Sequence, residues 1–214
     1  MKQIKLNLNN IEKTSDDVAN ILQDGGIVIY PTDTLYGLGA NALDEDAIAK
    51  VQKIKKQSDN KPISVIAKDI KMVKKIACID SKVEKILKKV WPGSITIVLR
   101  KKDIIPYILT SGEETIAIRI SDNKFISTLM EKIDFPITAT SANISGKENL
   151  LKSTKIIEEF KNSIPYINLF IDARDIKRET ASTIIDLTTT TPKILRMGVV
   201  GKNKMKEFFE KFDI

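Results

Sequence analysis

Several segments of this chain gather hydroxyls, amides and cations at spacings that could bind a polar or anionic ligand. Pro31-Thr32-Asp33-Thr34-Leu35-Tyr36-Gly37-Leu38-Gly39 follows the apolar run Ile27-Val28-Ile29-Tyr30. Thr32, Thr34 and Tyr36 offer hydroxyls at the carboxyl end of a strand, where α/β sheets commonly bind ligands. Gly37 and Gly39 permit conformations or close approaches that other residues resist. The same composition also suits a plain connection from strand to helix, and Asp33 reads equally as a metal ligand, a base or a turn cap. Lys55-Lys56-Gln57-Ser58-Asp59-Asn60-Lys61 could surround an anion, or be a solvated loop whose lysines complement a helix C-terminus.

Three further segments carry the same kind of signal. In Thr115-Ile116-Ala117-Ile118-Arg119 the period of a strand places Thr115, Ala117 and Arg119 on one face. The planar guanidinium of Arg119 suits a carboxylate or phosphate, and an internal ion pair would satisfy it equally. Thr138-Ala139-Thr140-Ser141-Ala142-Asn143-Ile144-Ser145-Gly146 ends a strand in small polar residues that could present hydroxyls and N–H groups to phosphate oxygens, or form a capped turn. It lacks the spacing of a P-loop, and no GxGxxG occurs in the chain. Ser182 and Arg196 each stand on an otherwise apolar strand pattern near the C-terminus.

Composition removes other chemistry. The chain has no histidine and one cysteine, Cys78, which excludes Ser-His-Asp triads, Cys-His dyads, histidine metal sites and thiolate zinc clusters. Catalysis must rest on Lys, Arg, Ser, Thr, Asp, Glu, backbone groups or an oxygen-held metal. The formal charge of +7 favours anionic partners such as phosphates or RNA, although much of it lies in lysine runs on expected helix surfaces.

The elements that must position these residues follow from patterning. A chain of 214 residues with 42% hydrophobic and 29% charged content is expected to form one soluble domain. No apolar run approaches the ~20 residues needed to cross a bilayer, and MKQIKLNLNN lacks the apolar core of a signal peptide, so a cytoplasmic protein is expected. Ile4, Leu6 and Leu8 alternate as a half-buried strand, and Thr14 or Ser15 caps a helix running to about Gln23. A strand over 26–30 enters the first motif, and Asp44 caps a helix to about Lys56. Strands are predicted near 63–67, 95–99, 115–120, 136–140, 167–171, 182–187 and 193–196. Helices fall near 68–77, 81–90, 121–132 and 153–162, with a last one after Lys202. The last three strands have no helix between them, so the class is α/β with a mixed parallel and antiparallel sheet.

Taken in order, PTDTLYGLGAN, TIAIRI, PITATSANISG, STIID and ILRMG resemble the YrdC-like family of threonylcarbamoyl-AMP synthases, over about Gly25 to Gly198. The resemblance implies a twisted mixed sheet flanked by helices around a concave, positively lined cavity. It implies a single catalytic domain over 1–214, without the C-terminal domain of longer relatives. The implied reaction joins L-threonine, bicarbonate and ATP, with Mg2+ accompanying ATP and no tightly bound organic cofactor. Its products are threonylcarbamoyl-AMP and pyrophosphate. The threonylcarbamoyl group would pass to tRNA as t6A through a downstream tRNA threonylcarbamoyl transferase, with weak tRNA binding and no membrane association.

Position by position, the resemblance places Thr34, Arg119, Ala139 and Ser182 at threonine, and Lys55, Gln57, Lys61, Thr115, Ser141, Asn143 and Arg196 at ATP. Lys55 and Arg119 are the expected catalytic pair. The family pattern has Arg where this chain has Gln57, and many relatives have His where it has Ile66. Two rivals share the pattern: an RNA-binding module using the same basic cavity without chemistry, and a nucleotide-handling enzyme using another acyl or carbamoyl donor. Only 6% of the chain is aromatic, which argues against a stacking RNA reader.

Overall fold

The structure is a computed structural model that describes residues 1–56, 61–148, 150–174, 180–189, 191–201, 203, 205 and 207, without the side chains of 162–164. The elements run β1 (Lys2–Lys5), α1 (Ile11–Gln23), β2 (Val28–Pro31), β3 (Tyr36–Gly39), α2 (Glu45–Lys55), β4 (Val65–Ile66), α3 (Ile70–Ile76), α4 (Ser81–Val90) and β5 (Ile95–Arg100). They continue with α5 (Tyr107–Thr110), β6 (Thr115–Arg119), α6 (Lys124–Glu131), β7 (Ile137–Thr138), β8 (Thr140–Ser141), α7 (Ser153–Glu159), β9 (Leu169–Asp172), β10 (Thr183–Asp186) and β11 (Lys193–Arg196).

The strands form two mixed sheets, ordered β1-β9-β2-β3-β8 and β11-β10-β5-β6-β4-β7. In the first, β2 is parallel to β9 and antiparallel to β3. In the second, β5 is parallel to β10 and antiparallel to β6, which is itself parallel to β4. The predicted strand over 136–140 is therefore two: β7 pairs with β4 in one sheet and β8 with β3 in the other. The chain changes sheets at Ala139. Thr138 ties the crossing, since its hydroxyl accepts from Ala40 N at 2.9 Å and donates to Leu38 O at 2.9 Å.

The first motif is a β-hairpin and not a strand-to-helix connection, with Tyr30 opposite Gly37 and Pro31 opposite Tyr36. Thr32 builds its tip by donating to Leu35 O at 2.6 Å and accepting from the backbone N–H groups of Thr34 and Leu35. Gly37 and Gly39 serve packing. A Cβ on Gly39 would lie 2.6 Å from the Tyr30 ring, and one on Gly37 would lie 2.8 Å from it.

Two other expectations change near the N-terminus. The strand stops at Lys5 and Leu8 is exposed, because Asn7 and Asn10 form a reciprocal cap on a short 3-10 turn over Leu8–Asn10. The helix then begins at Ile11, so Thr14 and Ser15 are buried inside it and cap nothing. Asp44 does cap α2, accepting from Ala47 N at 3.1 Å. Helix α7 ends at Glu159 and gives way to a 3-10 turn over Lys161–Tyr166. The predicted last helix falls largely outside the described residues. Among them, no helix is long and apolar enough to cross a membrane.

Candidate active site

A cavity of about 500 Å3 opens between the two sheets. Alternation decides which side chains reach it. On β6, Thr115, Ala117 and Arg119 line the cavity while Ile116 and Ile118 are buried behind them, as the period of two requires. The hairpin contributes Thr34 and Tyr36, the sheet crossing contributes Ala139 and Ser141, and the chain at β10 and β11 contributes Ser182 and Arg196. Seven of the predicted site residues thus share one cavity: Thr34, Thr115, Arg119, Ala139, Ser141, Ser182 and Arg196. Gln57 lies outside the described residues.

Lys55 and Asn143 stand behind this wall. The Lys55 side chain is buried, and its ammonium donates to Ser141 O at 2.6 Å and to Asn143 O at 2.9 Å. Burial, and secondarily the charge of Lys61, bring its pKa down to about 8. Asn143 accepts from Ser141 Oγ at 2.6 Å and donates to Lys147 O at 2.6 Å. The lysine thus holds the Ser141–Asn143 turn. Lys61 is exposed, with Nζ 3.5 Å from Ser145 Oγ.

Arg119 is held on three sides. Its Nε donates to Gly93 O at 2.8 Å, Nη1 to Thr34 Oγ1 at 3.1 Å, and Nη2 to the Asp33 carboxylate. The Asp33 carboxylate also accepts from Ser94 Oγ at 2.7 Å and Ser121 Oγ at 2.8 Å. Burial opposes ionisation of Asp33, but Arg119 and the two hydroxyls outweigh it and hold the carboxyl below the usual range. Asp33 is therefore an ionised partner of Arg119. Three donors converge on its two oxygens, and an ionised carboxylate held in this way is a weak proton acceptor.

Arg196 grips Ser182 with Nε and Nη2, at 3.1 and 2.9 Å from the carbonyl oxygen. Nη2 also reaches Ser182 Oγ at 3.2 Å, and that oxygen lies 2.8 Å from Thr96 Oγ1. Burial and then the Arg119 charge lower the Arg196 pKa, though guanidinium stays protonated in any working range. Among the described residues, no group of three or more His, Cys, Asp or Glu side chains could hold a metal ion, and Glu113 is the one carboxylate lining the cavity.

Thr96, Ser94, Ser121 and Tyr30 were not predicted. Thr96 carried a usable signal, a hydroxyl on the strand Ile95–Leu99, which is otherwise apolar. Ile66 lines the cavity as an apolar wall, opposite Arg119 in the β4–β6 register. The hydroxyl of Tyr36 works at the fold instead, donating to Arg174 O at 2.6 Å.

Comparison with known proteins places this arrangement in a lineage. The threonylcarbamoyl-AMP synthase of Pyrococcus abyssi is 35% identical over 181 residues, covering 84% of this chain and 52% of the relative. A protein of Methanocaldococcus jannaschii, provisionally given the same name, is 37% identical over 205 residues, 96% of this chain and 95% of its own. A crystal structure of P. abyssi Sua5 complexed with L-threonine superposes with a TM-score of 0.86 and 31% identity, covering 97% of this chain and 59% of that one. The chain thus spans about half the length of the Pyrococcus relative and nearly all of the Methanocaldococcus one. The family profile Sua5_yciO_yrdC, described as telomere recombination, matches residues 20–198, the stretch that carries every wall of the cavity, and the chain belongs to that family.

Proposed function

We propose that this protein is a threonylcarbamoyl-AMP synthase, a nucleotidyltransferase joining L-threonine, bicarbonate and ATP to give L-threonylcarbamoyl-AMP, pyrophosphate and water. The observation that carries the reading is a single cavity lined together by Thr34, Arg119, Ser141, Ser182 and Arg196. Relatives that bear this activity's name, and a neighbour crystallised with L-threonine, support it.

The chemistry asks little of a protein nucleophile. The threonine amine captures CO2 derived from bicarbonate, and a carbamate oxygen attacks the α-phosphorus as pyrophosphate departs. Alignment and charge neutralisation are what the site must supply. Thr34 and the two remaining N–H directions of Arg119 face the amino acid. Arg196, Thr115 and the Ser141–Asn143 turn, with Lys55 behind it, receive the nucleotide. Mg2+ arrives on the triphosphate as part of that substrate. The product would serve t6A formation on tRNA through a downstream transferase in the cytoplasm.

The test is to give the purified protein Mg·ATP with and without threonine and bicarbonate, following pyrophosphate and the adenylate. Turnover requiring both co-substrates is expected. RNA binding without turnover would replace this reading with a binding module, and turnover indifferent to threonine would point to another acyl donor.

A further inference from the structure

The two arginines in the cavity differ in charge environment. Arg119 faces a carboxylate that is itself held by two serines, so the pair is neutral as a unit. Among the described residues Arg196 meets only neutral oxygens, all from Ser182. The pair also bridges the two sheets: Asp33 comes from the hairpin tip, whereas Ser94, Arg119 and Ser121 sit at the ends of β5 and β6. A buried ion pair is a weak source of stability, since well-packed apolar groups often replace one at no cost. Its effect here is better sought in what it does to the cavity.

We propose that Asp33 is a positioning residue that aims Arg119 at Thr34 and cancels its charge, so that the Arg119–Thr34 part of the cavity selects a zwitterionic amino acid and rejects phosphate. The inference rests on the threonine reading above. An amino acid carries an ammonium as well as a carboxylate, and an uncompensated guanidinium would repel the first while attracting any anion. With Asp33 in place, Arg119 offers directed N–H groups within a pair that has no net charge. Phosphate is left to Arg196, whose partners among the described residues are neutral oxygens. The Asp33 side chain is not part of the cavity lining, so it acts through Arg119 and does not touch substrate.

The experiment compares binding of L-threonine and inorganic phosphate to the wild-type protein and Asp33→Asn by calorimetry. The amide keeps the side chain's size and removes its charge. Threonine affinity is expected to fall at least tenfold, while phosphate binds at least fivefold tighter and becomes competitive with threonine. A merely structural role would weaken both ligands; that result, or unchanged phosphate binding, would overturn the proposal. A second measurement needs no variant. Wild-type protein should bind 3-hydroxybutanoate, the anion lacking the amine, at least tenfold more weakly than threonine, and equal binding would also overturn it. Wild-type protein that binds no threonine at all would remove the functional reading first and this inference with it.

Discussion

The ammonium of Lys55, at the last position of α2, lies 2.6 Å from Ser141 O and 2.9 Å from Asn143 O, and the backbone replies with Ser145 N donating to Lys55 O at 2.9 Å. Three hydrogen bonds therefore tie the helix end to the chain leaving β8. A charged group performs this in a place that disfavours charge.

The consequence is a pH-dependent stability. Burial lowers the Lys55 pKa from 10.5 to about 8. Between those values the unfolded chain holds the proton more tightly than the folded one, so stability rises with pH through that window. The penalty is fully present below pH 8 and relieved by about 10.5, on the order of 3 kcal/mol in all. Lys55→Met removes the titration and keeps the apolar stem. Urea melts of both proteins at pH 7.5 and 10 should show the wild type gaining on the variant at the higher pH. A gap independent of pH would sink the argument.

Gly39 offers a test of packing. Its missing Cβ makes room for the Tyr30 ring, which is fully buried and donates to Thr138 O at 2.8 Å. Gly39→Ala should cost about 1–3 kcal/mol by overpacking. The same change in a Tyr30→Ala background should cost much less, because the clash is gone. Equal costs in the two backgrounds would mean that the glycine is there for another reason.

What was legible in the sequence was local. The period of two placed Thr115, Ala117 and Arg119 on one face, and Asp44 announced the start of α2. What was not legible depended on partners distant in sequence. An ion pair for Arg119 was one open reading, but its acid lies 86 residues away across a hairpin that looked like a turn. Gly37 and Gly39 signalled a close approach without naming Tyr30 as the visitor. The resemblance implies a phosphate contact for Lys55, whereas its carbonyl partners at Ser141 and Asn143 lie 86 and 88 residues away and no local pattern names them. The crossing at Ala139 was hidden because β7 and β8 together look like one strand.

Thr138 is where the two sheets depend on a side chain. It is fully buried, and its hydroxyl serves both Ala40 N and Leu38 O. Thr138→Val keeps the shape and strands a buried N–H, which costs about 1–3 kcal/mol. Thermal unfolding should show a fall of several degrees. A melting point unchanged from the wild type would show that the crossing is held by its backbone bonds alone.

Arg196 separates charge from geometry. Strand β11 is exposed along its length, so substitution there should leave the melting temperature nearly unchanged. Arg196→Lys keeps the positive charge but replaces a planar fork by a point charge, which cannot hold Ser182 O with two nitrogens and still offer an N–H to a phosphate. Loss of one placed donor at a site of developing charge typically costs about 3 kcal/mol, or roughly a hundredfold in rate. The KM for ATP should rise at least tenfold and by more than that for threonine, because Arg119 and Thr34 keep their own hydrogen bonds. Steady-state kinetics with each substrate varied in turn reads both values. An equal rise in the two would assign Arg196 to neither substrate in particular, and full activity would remove it from the site.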